Sequence, residues 1–524
     1  MQIFSTFDIN GDLTMAISRC LFVAGLFVML TCSAAKKMNV LFFVSDDMRP
    51  ELASYLGPDF PSPVHPNMHT PNLDVLASMS LVLKRAYVQQ AVCSPSRTSL
   101  LTGRRPDTTH VYDLVKYFRK VGGNFTTIPQ YFKQNGYMSV GMGKIFHPGS
   151  ASDNDDPISW SVPYYHANRS FWNPFGHEHS WLSVNESMQK EYPLPDQQIA
   201  QHATETLKQL APDAKSGKKP FFLGVGFHKP HLPFIAPEQF FDFYPPEDIR
   251  LPDNDYAPVG MPPVAWSSYG ELRNYGDIAK LNASGAINST LPPQVIKDLR
   301  RAYYSALSFT DTLIGTVMNE LKNLGLADNT IISFWGDHGW QLGEHGEWCK
   351  HTNFEDATHA PMMVHIPGKT DKGIATDALT EFVDLFPTLV EAAGLSPLEL
   401  CPEGKSTETI LCREGTSLMP LIDDPNSKTW KTKAFSQYPR ENGKIMGYTM
   451  RTDRYRYTEW VEFEGAPKYK PNWSALNATE LYDHMTDPEE NHNLAIDSSS
   501  HSVVQELSKQ LHAGWRDALP LENE

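Results

Sequence analysis

The sequence predicts an α/β protein in which a large, doubly wound domain with a mainly parallel sheet is followed by a smaller α+β domain. Four short apolar runs that each end abruptly in polar residues have the composition of strands buried on both faces, as the strands of parallel sheets are. Segments with apolar residues spaced three and four apart lie between these runs, which predicts helices that alternate with the strands. Beyond residue 428 the sequence turns to β-type stretches and a terminal helix, which predicts the second domain.

Each of the four apolar runs leads into polar side chains. The runs cover residues 39–45, 137–143, 220–227 and 330–336. They lead into Asp46 and Asp47, into Lys144 and His147, into His228, and into Asp337 and His338, respectively. Ligands of doubly wound sheets bind beyond the carboxyl ends of the strands. The sequence therefore predicts that all four polar clusters contribute to one active site at this edge of the sheet.

Helices and long loops account for the rest of the predicted large domain, which spans residues 35–428. Helical patterns cover residues 70–80, 299–324 and 384–393. Residues 150–198 and 244–293 are insertions rich in Pro, Asn, Asp, Ser and aromatic residues, which favours long loops that wall a pocket. The smaller domain, residues 429–524, contains β-type stretches such as 448–461 and a helix over 503–518.

Composition and charge exclude some classes of protein. Hydrophobic residues make up 41% of the 524 residues and charged residues 20%, which is typical of a folded globular chain rather than a disordered one. The 45 basic and 61 acidic residues give a formal charge of −16, which argues against a nucleic-acid backbone as partner. An anionic substrate must therefore be met by a local basic pocket.

The amino terminus has the features of a secretory signal peptide over residues 1–34. Arg19 precedes an apolar run over residues 21–30, and small residues at 33–35 favour cleavage. That run is too short to cross a bilayer and no other stretch is apolar enough, so we predict no membrane segment. Met15 is an alternative start, and lipid attachment at Cys32 fits the preceding residues less well.

Sequons for N-glycosylation support passage through a eukaryotic secretory route. They are Asn124, Asn168, Asn185, Asn282, Asn288, Asn472 and Asn477. A single sequon is a common accident, whereas seven behind a signal peptide are consistent with a glycoprotein.

The cysteines divide into a predicted pair and two others. They are Cys20 and Cys32 in the predicted signal peptide, followed by Cys93, Cys349, Cys401 and Cys412. Cys401 and Cys412 flank a short loop, so we predict that they form a disulfide in an oxidising lumen. Cys93 and Cys349 then lack an obvious partner, and an unpaired thiol in a secreted protein requires an explanation.

Cys93 opens the most informative motif of the chain. Residues 93–97 read Cys-Ser-Pro-Ser-Arg, and residues 98–103 read Thr-Ser-Leu-Leu-Thr-Gly. The first segment resembles the signature Cys-x-Pro-x-Arg of the sulfatase family, and the second resembles the family pattern that follows it. Taken alone, so short a pattern recurs by chance, and its structural alternative is a loop cysteine beside a proline turn.

Further segments extend the resemblance to sulfatases over residues 39–493. They are residues 143–149, 227–234, 337–348 and 449–458. The chain thus resembles the sulfatase family of the alkaline phosphatase-like superfamily, and within it the members that act on iduronate 2-sulfate. The implied substrate is a sulfated glycosaminoglycan, namely the 2-sulfate of non-reducing-end iduronate in heparan or dermatan sulfate. The implied cellular compartment is the lysosome, with secretion as the alternative.

The resemblance implies that Cys93 is oxidised to formylglycine in the endoplasmic reticulum, with the formylglycine-generating enzyme as a partner during maturation. A hydrated aldehyde offers two geminal hydroxyls. One hydroxyl attacks sulfur and the other later collapses to expel sulfate, which divides a difficult hydrolysis into two easier steps. This chemistry would account for the unpaired cysteine.

A calcium site is predicted among the strand-end carboxylates. Asp46, Asp47 and Asp337 supply oxygen ligands from separate segments, as a hard cation such as Ca²⁺ prefers. Alone, the Asp46-Asp47 pair would be read as a loop or a helix cap after a strand. The resemblance implies one Ca²⁺ ion and adds His338 and the modified Cys93 to its ligands. Such an ion polarises a sulfate oxygen and stabilises the ionised nucleophile.

Basic residues complete the predicted site. The resemblance implies catalytic roles beside Cys93 for Arg97, Lys144, His147, His228 and Lys350. It implies substrate binding by Lys144, His228, Lys350 and Trp340, the last as a wall for the sugar. We assign the general acid to His228 and the general base to His147. Taken singly, a lysine is usually a solvated surface charge and a histidine usually structural.

Some positions depart from the family pattern or stay open. Cys349 stands where the pattern has a small residue, and the insertion 150–198 lacks the cysteine that a family disulfide needs. Lys229 and His231 are undecided between substrate wall and scaffold. The alternative functions are a sulfatase for another sulfated glycan, a phosphodiesterase, a catalytically silent glycan-binding relative and a structural secreted glycoprotein. A silent relative would be expected to lose the nucleophile or a metal carboxylate, and this chain has both.

Overall fold

The computed structural model describes residues 37–55, 67–168 and 176–520. The predicted signal peptide, with Cys20 and Cys32, lies outside the described residues. Within the described ranges, no helix is long and apolar enough to cross a membrane.

The large domain is built on a seven-stranded sheet with the strand order β11-β2-β10-β7-β1-β5-β3. The strands of the chain are β1 (Asn39–Asp46), β2 (Leu81–Tyr87), β3 (Met138–Gly143), β4 (Trp181–Val184), β5 (Phe221–Pro230), β6 (Phe234–Pro237), β7 (Thr330–Gly336), β8 (Gln341–Leu342), β9 (Trp348–Cys349), β10 (Met362–His365), β11 (Ile374–Glu381), β12 (Ala434–Arg440), β13 (Ile445–Arg451), β14 (Tyr455–Glu464) and β15 (Lys470–Asp483). Within the seven-stranded sheet, β10 runs antiparallel to both of its neighbours, and the other pairings are parallel. The predicted mainly parallel sheet is confirmed.

The four predicted apolar runs form the adjacent strands β7, β1, β5 and β3. These strands are parallel, and Ser45 of β1 is in register with Gly336 of β7 and Phe227 of β5. Their carboxyl ends therefore meet at one edge of the sheet. The polar residues that follow the four runs are brought to that edge together, as the sequence predicts.

Helices cover both faces of this sheet. The helices of the described residues are α1 (Pro71–Ala77), α2 (Cys93–Thr102), α3 (Pro106–Thr109), α4 (Phe118–Val121), α5 (Ile128–Gln134), α6 (Glu186–Glu191), α7 (Pro195–Ser216), α8 (Glu238–Phe241), α9 (Gly276–Ala279), α10 (Pro293–Asn323), α11 (Glu355–Thr358), α12 (Leu385–Ala392), α13 (Pro420–Asp423) and α14 (His501–Asp517). Leu41 and Phe43 of β1 pack in one core with α1, α7 and α10. Val40, Phe42 and Val44 pack in a second core with α2, α5 and α12. This alternation is why β1 is apolar throughout, and it confirms the doubly wound architecture.

The carboxyl-terminal part is a smaller α+β unit, as predicted. Strands β12, β13, β14 and β15 form an antiparallel sheet in that order. Met450, Tyr457 and Leu481 of this sheet form a core with Leu507 and Leu511 of α14. The domain boundary at residues 428 and 429 stays a prediction, and β12 begins shortly after it.

Several elements differ from the sequence prediction. Strands β2, β10 and β11 were not predicted, because Lys84 and Arg85 interrupt the apolar run of β2 and because β10 is short. Helix α10 begins at Pro293, ahead of the predicted start at residue 299, since proline is well tolerated in a first helical turn. The two insertions are only partly loops, because they contain β4, α6, α9 and the start of α7.

The predicted disulfide between Cys401 and Cys412 is confirmed. Cys401 also accepts a hydrogen bond at its carbonyl from Arg516 of α14, at 2.8 Å, so the loop is tied to the carboxyl-terminal helix. Replacing both cysteines by serine is expected to lower the free energy of unfolding by about 2–3 kcal/mol, because the open loop has more conformations in the unfolded chain. Urea denaturation of the double variant measures this change. An unchanged free energy would show that the crosslink does not stabilise the fold.

Candidate active site

The predicted nucleophile lies at the amino terminus of helix α2. Val92 is extended and the helix begins at Cys93, so the thiol faces the edge where the parallel strands end. The Cys93 side chain is buried, and burial together with Asp46 raises the pKa of its thiol well above the usual value. An unmodified Cys93 would therefore be a poor nucleophile at neutral pH.

Carboxylates from two strand ends surround Cys93. Its Sγ lies 4.0 Å from Oδ1 of Asp47 and 3.5 Å from Nε2 of His338. The backbone N–H of Asp47, a residue with φ of 59°, donates to Oδ1 of Asp337 at 2.9 Å. This bond ties the end of β1 to the end of β7.

These side chains meet the requirements of a cation site. Ligand atoms of Asp47, Cys93, Asp337 and His338 lie within 4.8 Å of one another, and so do those of Asp46, Asp47, Cys93 and His231. Oxygen ligands on opposite sides of one Ca²⁺ ion are separated by about 5 Å, which is twice a Ca–O distance. The spacing and the three buried carboxylates therefore fit a hard divalent cation. His231, which the sequence left undecided, belongs to the second of these groups.

Arg97 holds two of the carboxylates. Its side chain is fully buried one helical turn after Cys93, and it donates to Asp337 Oδ2 and to Asp46 Oδ1, each at 2.8 Å. It also donates to the carbonyl oxygen of Ile145 at 3.0 Å. Arg97 thus fixes the positions of the two carboxylates, and the N–H donors of its guanidinium bond to groups of the protein.

Lys144 reaches Cys93 from the end of β3. Its Nζ lies 3.5 Å from Sγ of Cys93 and forms an ion pair with Asp46. Burial raises the pKa of Asp46, but Lys144 and Arg97 outweigh burial and hold that pKa well below its usual value. Gly143 makes this approach possible, because it has φ of +73° and a Cβ there would lie 1.9 Å from the carbonyl oxygen of Gly226.

Lys350 enters the site directly after the hairpin of β8 and β9. Its Nζ donates to Asp47 at 3.1 Å to Oδ1 and 3.0 Å to Oδ2. The same Nζ lies 4.8 Å from the ring centroid of Trp340, a cation–π contact. Lys144 and Lys350 therefore flank Cys93 with positive charge, and each is paired with a different aspartate.

Trp340 differs from its prediction as a sugar wall. Its side chain has no solvent-accessible surface and packs edge-on against Phe234, with ring centroids 6.1 Å apart. The ring therefore contacts Lys350 from within the protein core and has no surface open to a sugar. The sequence does not distinguish a tryptophan that lines a pocket from one that underlies it, since both are apolar and adjacent to polar residues.

The two predicted acid–base histidines lie in different environments. Nδ1 of His228 lies 2.9 Å from Oδ1 of Asp196, whose carboxylate also accepts from the backbone N–H groups of His228 and Lys229. His147 is half-buried, with Nδ1 at 3.0 Å from the carbonyl oxygen of Pro148. Burial lowers the pKa of both imidazoles, to about 3 for His147. Both rings are therefore neutral near pH 7 in the folded protein.

Two carboxylates at the site were not predicted. Asp196, at the start of α7, orients His228. Glu271 lies within the predicted insertion 244–293 and accepts from Lys350 Nζ at 2.9 Å. Neither residue belongs to a strand-end cluster or a signature segment, so no local sequence signal marks them. Lys229, left open by the sequence, donates to backbone carbonyl groups of His231 and Pro233 and belongs to the scaffold.

Two protein families and several known proteins are similar to this chain. The Sulfatase family matches residues 38–395, and the family "N-sulphoglucosamine sulphohydrolase, C-terminal" matches residues 343–516. Iduronate 2-sulfatase of Homo sapiens is 39% identical over 532 aligned residues, which cover 91% of this chain and 94% of that protein.

Solved structures share the fold. A protein in complex with its substrate D-glucosamine-2-N,6-O-disulfate has a TM-score of 0.68 at 18% identity, and the similarity covers 93% of this chain and 100% of that one. Phosphonate monoester hydrolase of Agrobacterium radiobacter has a TM-score of 0.67 at 20% identity over 92% of this chain and 96% of that one. At such low identity these two similarities show the fold alone. The extent of the family match and of the sequence identity nevertheless decides the assignment: the chain belongs to the sulfatase family and is a sulfuric ester hydrolase.

Proposed function

We propose that this sulfatase removes the 2-sulfate of non-reducing-end iduronate in heparan and dermatan sulfate, with a formylglycine made from Cys93 as nucleophile and one Ca²⁺ ion bound. The observation that carries the proposal is the position of Cys93 at the start of α2, between Lys144, Lys350 and three buried aspartates. The iduronate assignment rests on the similarity to human iduronate 2-sulfatase. Sulfatases generally use formylglycine and a metal ion.

Each residue at the site has a role in this proposal. A hydroxyl of hydrated formylglycine, in the place of Sγ, attacks sulfur while Lys144 and Lys350 neutralise the sulfate oxygens. Asp196 holds Nδ1 of His228, which leaves Nε2 to donate a proton to the departing sugar oxygen. His147, neutral because it is buried, accepts the proton of the second hydroxyl as sulfate is expelled.

The carboxylates and one imidazole supply the metal ligands in this proposal. Asp46, Asp47, Asp337 and His338 would hold Ca²⁺, together with the modified residue 93. When bound, the ion polarises a sulfate oxygen and favours the ionised nucleophile. Arg97 keeps Asp46 and Asp337 in place by its two hydrogen bonds.

The proposed acid and base predict how the rate depends on pH. His228 must be protonated to act, and burial lowers its pKa, so the rate should fall about tenfold per pH unit above that pKa. His147 must be neutral, and its pKa of about 3 places the acid limb of the profile far below neutrality. We therefore expect a bell-shaped profile with an acidic optimum, measured as kcat/KM against pH.

Variants test these two assignments. His147→Ala should lose the acid limb and accumulate a sulfated enzyme, whereas His228→Ala should lose the alkaline limb. Histidines that only shape the pocket would leave the profile unchanged in both variants at reduced amplitude. An optimum above neutral pH in the wild type would contradict the roles of both residues.

Hydrolysis of defined substrates tests the proposed function. The purified protein is expected to release sulfate from a disaccharide with non-reducing iduronate 2-sulfate, and not from the isomer with glucosamine 6-sulfate. Preference for another sulfated sugar would overturn the iduronate assignment. Preference for a phosphodiester would overturn the proposed sulfatase reaction itself. So would the absence of turnover of any sulfate ester by protein that carries formylglycine at residue 93.

The proposed function also includes the localisation and maturation of the protein. We expect a secreted precursor delivered to the lysosome, with the formylglycine-generating enzyme acting on Cys93 during maturation. Six of the seven sequon asparagines are exposed, and Asn472 in β15 is half-buried. Glycans are therefore expected at the exposed positions first, which peptide mass spectrometry with and without an endoglycosidase would show.

A further inference from the structure

Glu271 links three basic side chains beside the nucleophile. Its Oε1 lies 2.9 Å from Nζ of Lys350 and 3.2 Å from Nε2 of His231, and its Oε2 lies 3.2 Å from Nε2 of His351. The Glu271 side chain is 21% exposed, whereas that of Lys350 is 1% exposed. Glu271 therefore covers Lys350 on its outer side, toward the solvent.

The hydrogen bonds of Lys350 show what Glu271 contributes. An ammonium group has three donors, and in this structure the acceptors of Lys350 are the two oxygens of Asp47 and one oxygen of Glu271. Under the proposed function Asp47 also serves as a metal ligand, which draws on the same lone pairs. Glu271 is then the acceptor that can hold the Lys350 ammonium in place without competing for the metal.

A hydrogen-bonded chain supports Glu271 from the carboxyl-terminal sheet. The carboxylate can only accept, so Nε2 of His351 is the donor in their contact. Nδ1 of His351 lies 2.7 Å from the hydroxyl of Tyr438 in β12, which donates when the ring is neutral. The carbonyl oxygen of His351 accepts from Arg440, also in β12, at 2.7 Å. Two segments distant in sequence, around Glu271 and in β12, thus converge on Lys350 and its neighbour His351.

We propose that Glu271 is a positioning residue that acts through Lys350, and that Tyr438 and His351 keep its carboxylate in the productive orientation. The proposal rests on the proposed sulfatase function, because it assumes that Lys350 acts on a sulfate ester. It assigns a task in catalysis to the predicted insertion 244–293 and to strand β12, outside the signature segments. Glu271 itself acts on Lys350 and not on the sulfur.

Substitutions that remove or weaken the link test the proposal. Glu271→Ala should lower kcat by about 10- to 100-fold with little change in KM, because a displaced Lys350 stabilises the transition state less. Glu271→Gln keeps one acceptor for Lys350, so its loss should be smaller. Tyr438→Phe, one hydrogen bond further along the chain, should lower kcat less than Glu271→Ala. Formylglycine content and bound calcium should equal those of the wild type in all three.

The control is Glu178→Ala, which removes another carboxylate paired with a lysine, Lys280 at 3.1 Å, on an exposed surface. Its kcat should equal that of the wild type. The proposal is overturned if Glu271→Ala retains the wild-type kcat. It is also overturned if the fraction of unfolded protein, found by thermal unfolding, accounts for the whole loss of kcat in this variant. An equal loss in the alanine and glutamine variants would also overturn it, because the retained acceptor would then have no effect.

An aryl sulfate ester separates this inference from the proposed function. If the wild type cleaves the aryl ester but not the iduronate disaccharide, the sugar assignment fails. The graded losses at Glu271 are then measured on the aryl ester, and they support or overturn the positioning role independently.

Discussion

Cys93→Ala is expected to lower the rate of sulfate ester hydrolysis by at least about 10⁴-fold, because alanine lacks the thiol whose oxidation converts residue 93 to the proposed formylglycine nucleophile. The remaining site would still bind sulfate, so the loss should lie in kcat. The fold should persist, since alanine is well tolerated at the start of a helix and the ion pairs of Arg97 with Asp46 and Asp337 do not involve the thiol. Circular dichroism and thermal unfolding check that the variant is folded.

Mass spectrometry of the peptide that contains residue 93 is the direct measurement. Active wild-type protein should carry formylglycine there, and the fraction modified should track the specific activity of different preparations. Cys349→Ala is the matched control, because Cys349 is the other free cysteine among the described residues and is also buried. It should remain active. Full activity in a preparation whose residue 93 is entirely unmodified cysteine would refute the proposed nucleophile.

The second large effect is expected from removal of the metal. Asp46→Ala should lose bound calcium and activity together, because it removes a proposed ligand and leaves the buried Lys144 without its carboxylate partner. The loss of the ion pair should also destabilise the fold by about 3–5 kcal/mol, the usual cost of breaking a buried pair by removing one partner. Elemental analysis and activity assays are the measurements.

Chelation separates these two consequences of Asp46→Ala. Exhaustive chelation of the wild type should abolish activity, and added Ca²⁺ should restore it, since the buried carboxylates and Arg97 stay in place. Asp453→Ala is the control, because Asp453 pairs with Arg85 at the surface and its side chain is 78% exposed. That variant should keep its calcium and its rate. A wild-type rate that survives exhaustive chelation would show that the metal assignment is wrong.

Local sequence determined the parts of the site that lie at strand and helix ends. A run of apolar residues buried on both faces specifies a parallel strand, and the first polar residues after it lie at the edge where such sheets bind ligands. Asp46, Lys144 and Asp337 were therefore predictable from their position along the chain. Arg97 follows Cys93 at a spacing of four, which in a helix places both side chains on one face.

The sequence could not predict contacts that depend on how distant segments pack. Glu271 belongs to an insertion without periodicity, and its three partners lie on segments far away in the chain. Asp196 lies in the first turn of α7, within the insertion 150–198 that the sequence predicts to be a loop. The sequence predicts that Trp340 faces the sugar, and only the tertiary structure shows that its side chain is fully buried in contact with Lys350.

What the sequence alone determined is thus the class of fold, the edge of the sheet that carries the candidate site, the proposed nucleophile and most of the charged groups around it. These features depend on short-range patterns: burial of alternate or successive residues, helical spacing and a family signature. Tertiary structure decided which side chains hold the charged groups in position: Asp196 bonds to His228, Glu271 bonds to Lys350, and Tyr438 bonds to His351, which in turn contacts Glu271. Such contacts arise because long loops and the carboxyl-terminal sheet close over the site, and the free energy that places them comes from packing between segments that no local pattern connects.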